Sequence, residues 1–287
     1  MTEPTPCAAP HPTADMPIGV FDSGVGGLTV LRELRRALPA EDFLYLGDTA
    51  RLPYGTKSGA TVARYALQTT RVLVDRGVKL LVVACNTASS VALPGLAAAY
   101  PGLPVVGVIE PGARAACRAA PRGRIAVIAT GGTVRGASYQ RAILGLLPQA
   151  TLATRPAQLF VSLAEEGWVD GHIVEGVARR YLEPLMAEFP EGGPDCLVLG
   201  CTHFPVLAPA IRAVLPQTVA LIDSAETTAA SVKEELCARG LLKPCEGTVC
   251  PGSARFFATD DPERFARVGE IFLGEPISTD DVSLVDL

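Results

Sequence analysis

Short apolar runs recur along this chain, and nearly every one ends in a polar or glycine-rich turn. Ile18-Gly19-Val20-Phe21 gives way to Asp22-Ser23-Gly24-Val25-Gly26-Gly27. Leu28, Leu31, Leu34 and Leu38 then fall at helical spacing before Pro39. A second run, 43–46, leads into Gly47-Asp48-Thr49-Ala50-Arg51-Leu52-Pro53-Tyr54-Gly55, too long and irregular for a plain connection and so a candidate functional loop. The pattern next predicts a helix over 58–76, a strand over 79–84, a helix over 88–100 and a strand over 105–109. At Glu110-Pro111-Gly112 it starts again: a strand over 125–129, the turn Thr130-Gly131-Gly132-Thr133, a helix over 134–147 and helical stretches around 159–168 and 173–189. A strand over 196–200 follows, then one over 219–222 closed by Asp223-Ser224, a helix over 227–239, a strand over 255–258 and a helix over 262–273. Unbroken apolar strands alternating with helices predict parallel sheets covered on both faces, an α/β fold.

The order strand, Gly turn, helix, then strand, Cys-Thr, helix occurs in each half. Two doubly wound α/β units should therefore face each other, with the polar turns lining the crevice between them, where ligands sit in such sheets. Leu80-Leu81-Val82-Val83-Ala84 runs into Cys85-Asn86-Thr87, with Asn86 and Thr87 as candidate N-caps of the next helix. Cys196-Leu197-Val198-Leu199-Gly200 runs into Cys201-Thr202-His203 in the same way. A strand-to-helix junction gathers backbone N–H groups and suits a thiolate or a carboxylate ligand.

Two thiols from facing halves suit the inversion of an amino-acid α-carbon. One group removes the α-proton from one face, the other returns a proton to the opposite face, and they exchange roles for the mirror substrate. A free thiol is only a few per cent ionised near neutral pH, so each cysteine needs a helper. Asp22, at the end of the first strand, and His203, two positions beyond Cys201, are the candidates. Ser23, Asn86, Thr87, Thr130, Thr133 and Thr202 lie on the right turns to donate to a carboxylate whose charge grows during proton removal.

Composition narrows the alternatives. The chain has 287 residues, 48% of them apolar, a net charge of −5 and scattered basic residues, which gives no nucleic-acid or anionic-membrane surface. No apolar run approaches the roughly 20 residues that span a bilayer. Residues 1–16 carry neither the basic nor the apolar part of a signal peptide; they read as a disordered tail, with Met16 as an alternative start. Eight cysteines occur without a CxxC pair and with only three histidines, so neither a zinc site nor a disulfide framework is expected, and the compartment reads as a reducing cytoplasm. Apart from Cys85 and Cys201, the thiols, including Cys7 and the loop pair Cys245 and Cys250, read as structural or incidental. Gly24–Gly27 does not match the dinucleotide fingerprint.

At four blocks the chain resembles a known family. Phe21-Asp22-Ser23-Gly24-Val25-Gly26-Gly27-Leu28-Thr29-Val30, the Gly47–Lys57 segment, Ala84-Cys85-Asn86-Thr87-Ala88 and Leu199-Gly200-Cys201-Thr202-His203-Phe204-Pro205 are similar, in order, to the signatures of the glutamate racemases, within the aspartate/glutamate racemase family. The resemblance implies cofactor-independent interconversion of L- and D-glutamate, supplying D-glutamate for peptidoglycan in the cytoplasm, and a homodimer. It implies two α/β domains related by a pseudo-two-fold axis: 17–110 completed by 224–287, and 111–223. Matched position by position, Cys85 and Cys201 would be the two acid/bases, assisted by Asp22 and His203. Asp22, Ser23, Tyr54, Gly55, Asn86, Thr87, Thr130, Thr133, Thr202 and His203 would contact glutamate. Glu165 matches the family's further carboxylate beside the second cysteine. That block departs from the pattern, with Ala157-Gln158 in place of Cys-Pro and Ser162 in place of Pro. Competing readings are an aspartate or hydantoin racemase of the same family, a non-catalytic amino-acid-binding protein that keeps the fold, and a thiol-disulfide protein. The missing CxxC pair argues against the last.

Overall fold

The runs that are apolar without interruption become strands of two parallel sheets in a computed structural model, which describes residues 12–190, 192–244 and 251–287. In chain order the strands are β1 (Ile18–Asp22), β2 (Phe43–Gly47), β3 (Leu80–Val83), β4 (Val105–Gly107) and β5 (Arg124–Ala129). They continue as β6 (Thr151–Pro156), β7 (Cys196–Gly200), β8 (Ala220–Asp223), β9 (Ala254–Ala258) and β10 (Val282–Leu284). One sheet has the order β10-β9-β2-β1-β3-β4, the other β6-β5-β7-β8, and every pairing is parallel. This is the expected class of two parallel-sheet α/β units. β9 and β10, from the end of the chain, extend the sheet built around β1.

Side chains of the first sheet alternate between two cores, as the period of two requires. Ile18, Val20, Phe43, Tyr45, Leu80 and Val82 point to one face, and there they join a cluster that also holds Val127, Ile128, Leu197 and Val198 of the second sheet. Phe21, Leu44, Leu46, Leu81 and Val83 point to the other, against Val62, Ala66 and Leu73 of the helix Gly59–Val74.

The elements that departed from expectation have local causes. β6 and β10 are edge strands with mixed burial, so they carry no apolar run to find. The strand expected over 105–109 ends at Gly107, and the helix Ile109–Arg118 forms across Glu110-Pro111-Gly112, where the pattern starts again; Pro111 sits in the first turn, where its missing N–H costs nothing. The single helix expected over 88–100 is two, Asn86–Ser89 and Leu93–Ala99, with Pro94 starting the second. The one expected over 134–147 begins at Gly131 and breaks at Ala137, whose φ of 50° is left-handed. Ser138 Oγ, next to that break, donates to the Ser90 carbonyl of the other sheet unit at 3.0 Å.

Thr13–Met16 close a turn, and the Ala14 carbonyl accepts from Lys79 Nζ at 2.5 Å. The rest of the tail, with Cys7 and His11, lies outside the described residues, as do Cys245 and Cys250. Among the described residues, no helix is long and apolar enough to cross a membrane, and no group of three or more His, Cys, Asp or Glu is placed to hold a metal ion.

Candidate active site

Strand order decides where the crevice lies. β2-β1-β3 and β6-β5-β7 are the same arrangement, so each sheet reverses its winding beside its first strand, and a crevice opens at the carboxyl ends there. Asp22 ends β1 and Ser23 follows it, Tyr54 and Gly55 lie beyond β2, and Cys85-Asn86-Thr87 follow β3. Facing them, Thr130 and Thr133 follow β5, and Cys201-Thr202-His203 follow β7. One cleft is lined by Ser23, Tyr54, Gly55, Cys85, Asn86, Thr87, Thr130, Cys201, Thr202 and His203. Asp22, Thr133 and Glu165 are not on its wall but bond or pack against it.

On the first side, the Cys85 thiol donates to Ser23 Oγ at 3.5 Å. Cys85 itself is the N-cap of Asn86–Ser89, in extended conformation, so the expected capping by Asn86 or Thr87 does not occur; that helix is a single turn. Burial pushes the Cys85 thiol up to about 12, with the charges of Asp22 and Cys201 adding to the effect. The short helix does not make this thiol a thiolate. Asp22 is fully buried, and burial raises its carboxyl, partly offset by His203 and by the amides of Gly24, Gly27 and Ser23. Gly24 N–H donates to Asp22 Oδ2 at 2.9 Å, whereas Asp22 Oδ1 is buried with no protein donor. Asn86 is the complement: its Oδ1 accepts from Tyr139 Oη at 2.8 Å, and its Nδ2 is buried with no protein acceptor.

The second side is differently equipped. Cys201 Sγ lies 3.8 Å from His203 Nδ1, and His203 Nε2 lies 3.0 Å from Glu165 Oε1. The other Glu165 oxygen accepts from Arg264 at 2.8 Å. Burial works against charge on His203, but its bonds to Cys201 and Glu165 outweigh that and hold the imidazolium up at about 10. The folded protein thus binds this proton more tightly than the unfolded chain, whose histidine sits at 6.5. The resulting stabilisation is complete below about pH 6.5 and disappears as pH rises through 10. Urea midpoints of His203→Gln should accordingly lack the decline that the parent protein shows between those limits. A parent-like decline in the variant would assign it to other groups.

The two units are tied directly across the crevice. Thr87 Oγ1 is 2.9 Å from Thr130 Oγ1 and 3.3 Å from Thr133 Oγ1, and these two are 3.1 Å apart. Thr29 Oγ1 donates to the Thr202 carbonyl at 3.0 Å, and Arg135 donates to the Gly55 carbonyl at 3.4 Å. Close approach at Gly26 is what brings the halves together: a Cβ there would lie 2.4 Å from His203 Nδ1 and 2.6 Å from Thr202 Oγ1. The long loop after β2 is pinned by Asp48, which accepts from Tyr54 Oη, from Arg51 Nε at 2.7 Å and from Thr259 Oγ1 at 3.0 Å.

The structure therefore gathers the sequence-derived residues at one place. It adds Pro53, Gln158 and Val161 on the cleft wall, Tyr139 behind Asn86 and Arg264 behind Glu165. Gln158 was signalled by the departure from Cys-Pro at 157–158. Tyr139 and Arg264 carry no local signal, since they act on residues far away in the chain.

The Asp/Glu/Hydantoin racemase family model matches residues 18–232. The glutamate racemase of Geobacter metallireducens is 52% identical over 257 residues, 90% of this chain and 92% of that one. The crystal structure of glutamate racemase from Francisella tularensis in complex with D-glutamate superposes with a TM-score of 0.85 at 38% identity, covering 95% of this chain and 98% of that one. The enzyme from Thermus thermophilus, in complex with beta-chloro-D-alanine, gives 0.83 at 48% identity, with 96% and 98% covered. Similarity of this extent, across both sheets and both cysteine turns, is not confined to a shared fold: the chain belongs to the Asp/Glu/Hydantoin racemase family.

Proposed function

We propose that this protein interconverts L- and D-glutamate without an added cofactor, passing the α-proton between Cys85 and Cys201. The observation that carries the reading is the meeting of two buried thiols, one from each parallel sheet, in one cleft with separate proton partners. In one direction the thiolate of one cysteine takes the α-proton, leaving a planar carbanion whose charge spreads into the carboxylate. The thiol of the other cysteine then donates its proton from the opposite face, and the first cysteine keeps the proton it took. For the mirror substrate the roles reverse.

In this reading Asp22, whose carboxyl burial raises, is the proton partner of Cys85, and His203, whose imidazolium is favoured by its bonds to Cys201 and Glu165, is that of Cys201. The unpartnered Asp22 Oδ1 suits a substrate ammonium, and the unpartnered Asn86 Nδ2 suits a substrate carboxylate. Ser23, Tyr54, Gly55, Thr87, Thr130, Thr133 and Thr202 complete the contacts in this reading. Glutamate, rather than another amino acid, is favoured by relatives named for it and by the D-glutamate held in the Francisella enzyme. The reading extends to D-glutamate supply for peptidoglycan in the cytoplasm by a homodimer, each chain organised as 17–110 with 224–287 and 111–223.

The test is incubation with L-glutamate in D2O without pyridoxal phosphate or added metal. Loss of the α-hydrogen signal together with D-glutamate in a chiral assay is expected. No exchange from either enantiomer would remove glutamate as the substrate and make aspartate the next one to try.

A further inference from the structure

The hydrogen-bonded chain that begins at Cys201 does not stop at Glu165. Glu165 is the last residue of the helix Leu159–Glu165, on the unit built around β5. Arg264 lies in the first turn of the helix Pro262–Leu273, which follows β9 in the other sheet. The Glu165 carboxylate is thus held from both sides of the seam, with Oε1 on His203 at 3.0 Å and Oε2 on Arg264 at 2.8 Å. Its side chain is 14% exposed and that of Arg264 40%, so the chain runs from the buried cysteine out to the surface.

The turn that aims Arg264 is unusual. Asp261 has a φ of 45°, uncommon for a residue with a side chain, and its Oδ1 accepts from the backbone N–H of Arg264 itself at 2.9 Å. Its neighbour Asp260 is tied to the loop after β2, its N–H donating to Thr49 Oγ1 at 2.8 Å and its carbonyl accepting from that hydroxyl at 2.6 Å. Strained backbone persists where its surroundings hold it, and here it fixes the start of one helix.

We propose that Arg264 is a positioning residue for proton transfer at Cys201: from across the seam it holds the Glu165 carboxylate in the orientation that accepts from His203. The proposal rests on the two-cysteine racemase reading. A glutamate side chain bonded on one oxygen only can swing about its terminal torsions. A guanidinium on the second oxygen removes that freedom with directional donors. Around Glu165 the charged groups are His203 and Arg264. Around His203 they are Cys201, Glu165 and Asp22, with the Phe272 ring packed edge-on at 5.0 Å. Burial raises the Glu165 carboxyl, but His203 and Arg264 together hold it below its ordinary value.

The experiment compares Arg264→Gln and Arg264→Lys with the parent protein, for both enantiomers of glutamate, across pH. In Arg264→Gln, kcat should fall roughly 10- to 100-fold while KM changes by less than about two-fold. The acid limb of kcat/KM should move to higher pH, because Glu165 loses a cation that favours its charged form. With α-deuterated substrates, the isotope effect should rise only for the enantiomer that Cys201 deprotonates. Arg264→Lys should recover most of kcat. The proposal is overturned if Arg264→Gln keeps the parent kcat and acid limb, which is the behaviour of an ordinary surface ion pair. It is also overturned if both variants lose activity in step with melting temperature while isotope effects stay unchanged. A parent protein that does not racemise glutamate would instead remove the functional reading itself, and the proposal with it.

Discussion

Serine in place of either Cys85 or Cys201 should lower glutamate racemisation by about 10^3-fold or more, measured as kcat/KM in either direction. The substitution removes a single atom's chemistry with little change of shape. A hydroxyl is a far weaker acid than a thiol, so it can neither supply the proton readily nor exist as the base. Removal of both thiols should cost little beyond the loss of one, since inversion needs both faces served. One-sided chemistry should survive. A glutamate analogue with a leaving group next to the α-carbon can lose its α-proton and that group together, forming a double bond, with no proton returned from the other face. Each single variant should therefore process one enantiomer of the analogue and not its mirror image. Full racemase activity in either variant would sink the two-base assignment.

The second large effect is expected at a residue with no side chain. Gly26→Ala should lower kcat about 100-fold and destabilise the protein by roughly 1–3 kcal/mol. The new methyl would lie 2.4 Å from His203 Nδ1 and 2.5 Å from its Cε1, inside any tolerable contact. The ring cannot swing freely, because Nε2 is bonded to Glu165 and the Phe272 ring packs nearly perpendicular to it, 5.0 Å away between centroids. Relief must come by lengthening the Cys201 to His203 contact, by breaking the pairing with Glu165, or by parting the two units at the seam. Each of these disables the second proton partner. Kinetics and a thermal melt on the same preparation separate the two losses. Parent-like kinetics would mean that the ring has room that the packing does not indicate.

Much of this molecule is legible in the amino-acid order because its interior strands are buried on both faces. Ile18–Asp22, Leu80–Val83 and Cys196–Gly200 read as strands without any tertiary knowledge. Edge strands such as Thr151–Pro156 face solvent on one side and carry mixed residues, so periodicity has nothing to detect. The same division runs through the candidate site. Cys85, Cys201, Asp22 and the threonines announce themselves by lying at or just beyond strand ends, where parallel sheets collect ligands. Tyr139 and Arg264 do not, since their partners Asn86 and Glu165 lie 53 and 99 positions away in the chain. Glu165 is intermediate: its own block departs from the family pattern, but the fold carries it to His203.

The apolar cluster that joins one face of the first sheet to the second has a consequence for how the molecule is assembled. Ile18, Val20 and Val82 share that cluster with Val127 and Val198, so neither sheet owns a complete interior. A chain severed between the units would leave each half with a bare hydrophobic wall, and the halves are not modules to be exchanged among relatives. Motion that parts the units at their base would uncover this shared apolar surface, so opening of the cleft should be confined to its rim. Unfolding should likewise be cooperative, since helices of both units complete one apolar cluster with the two sheets.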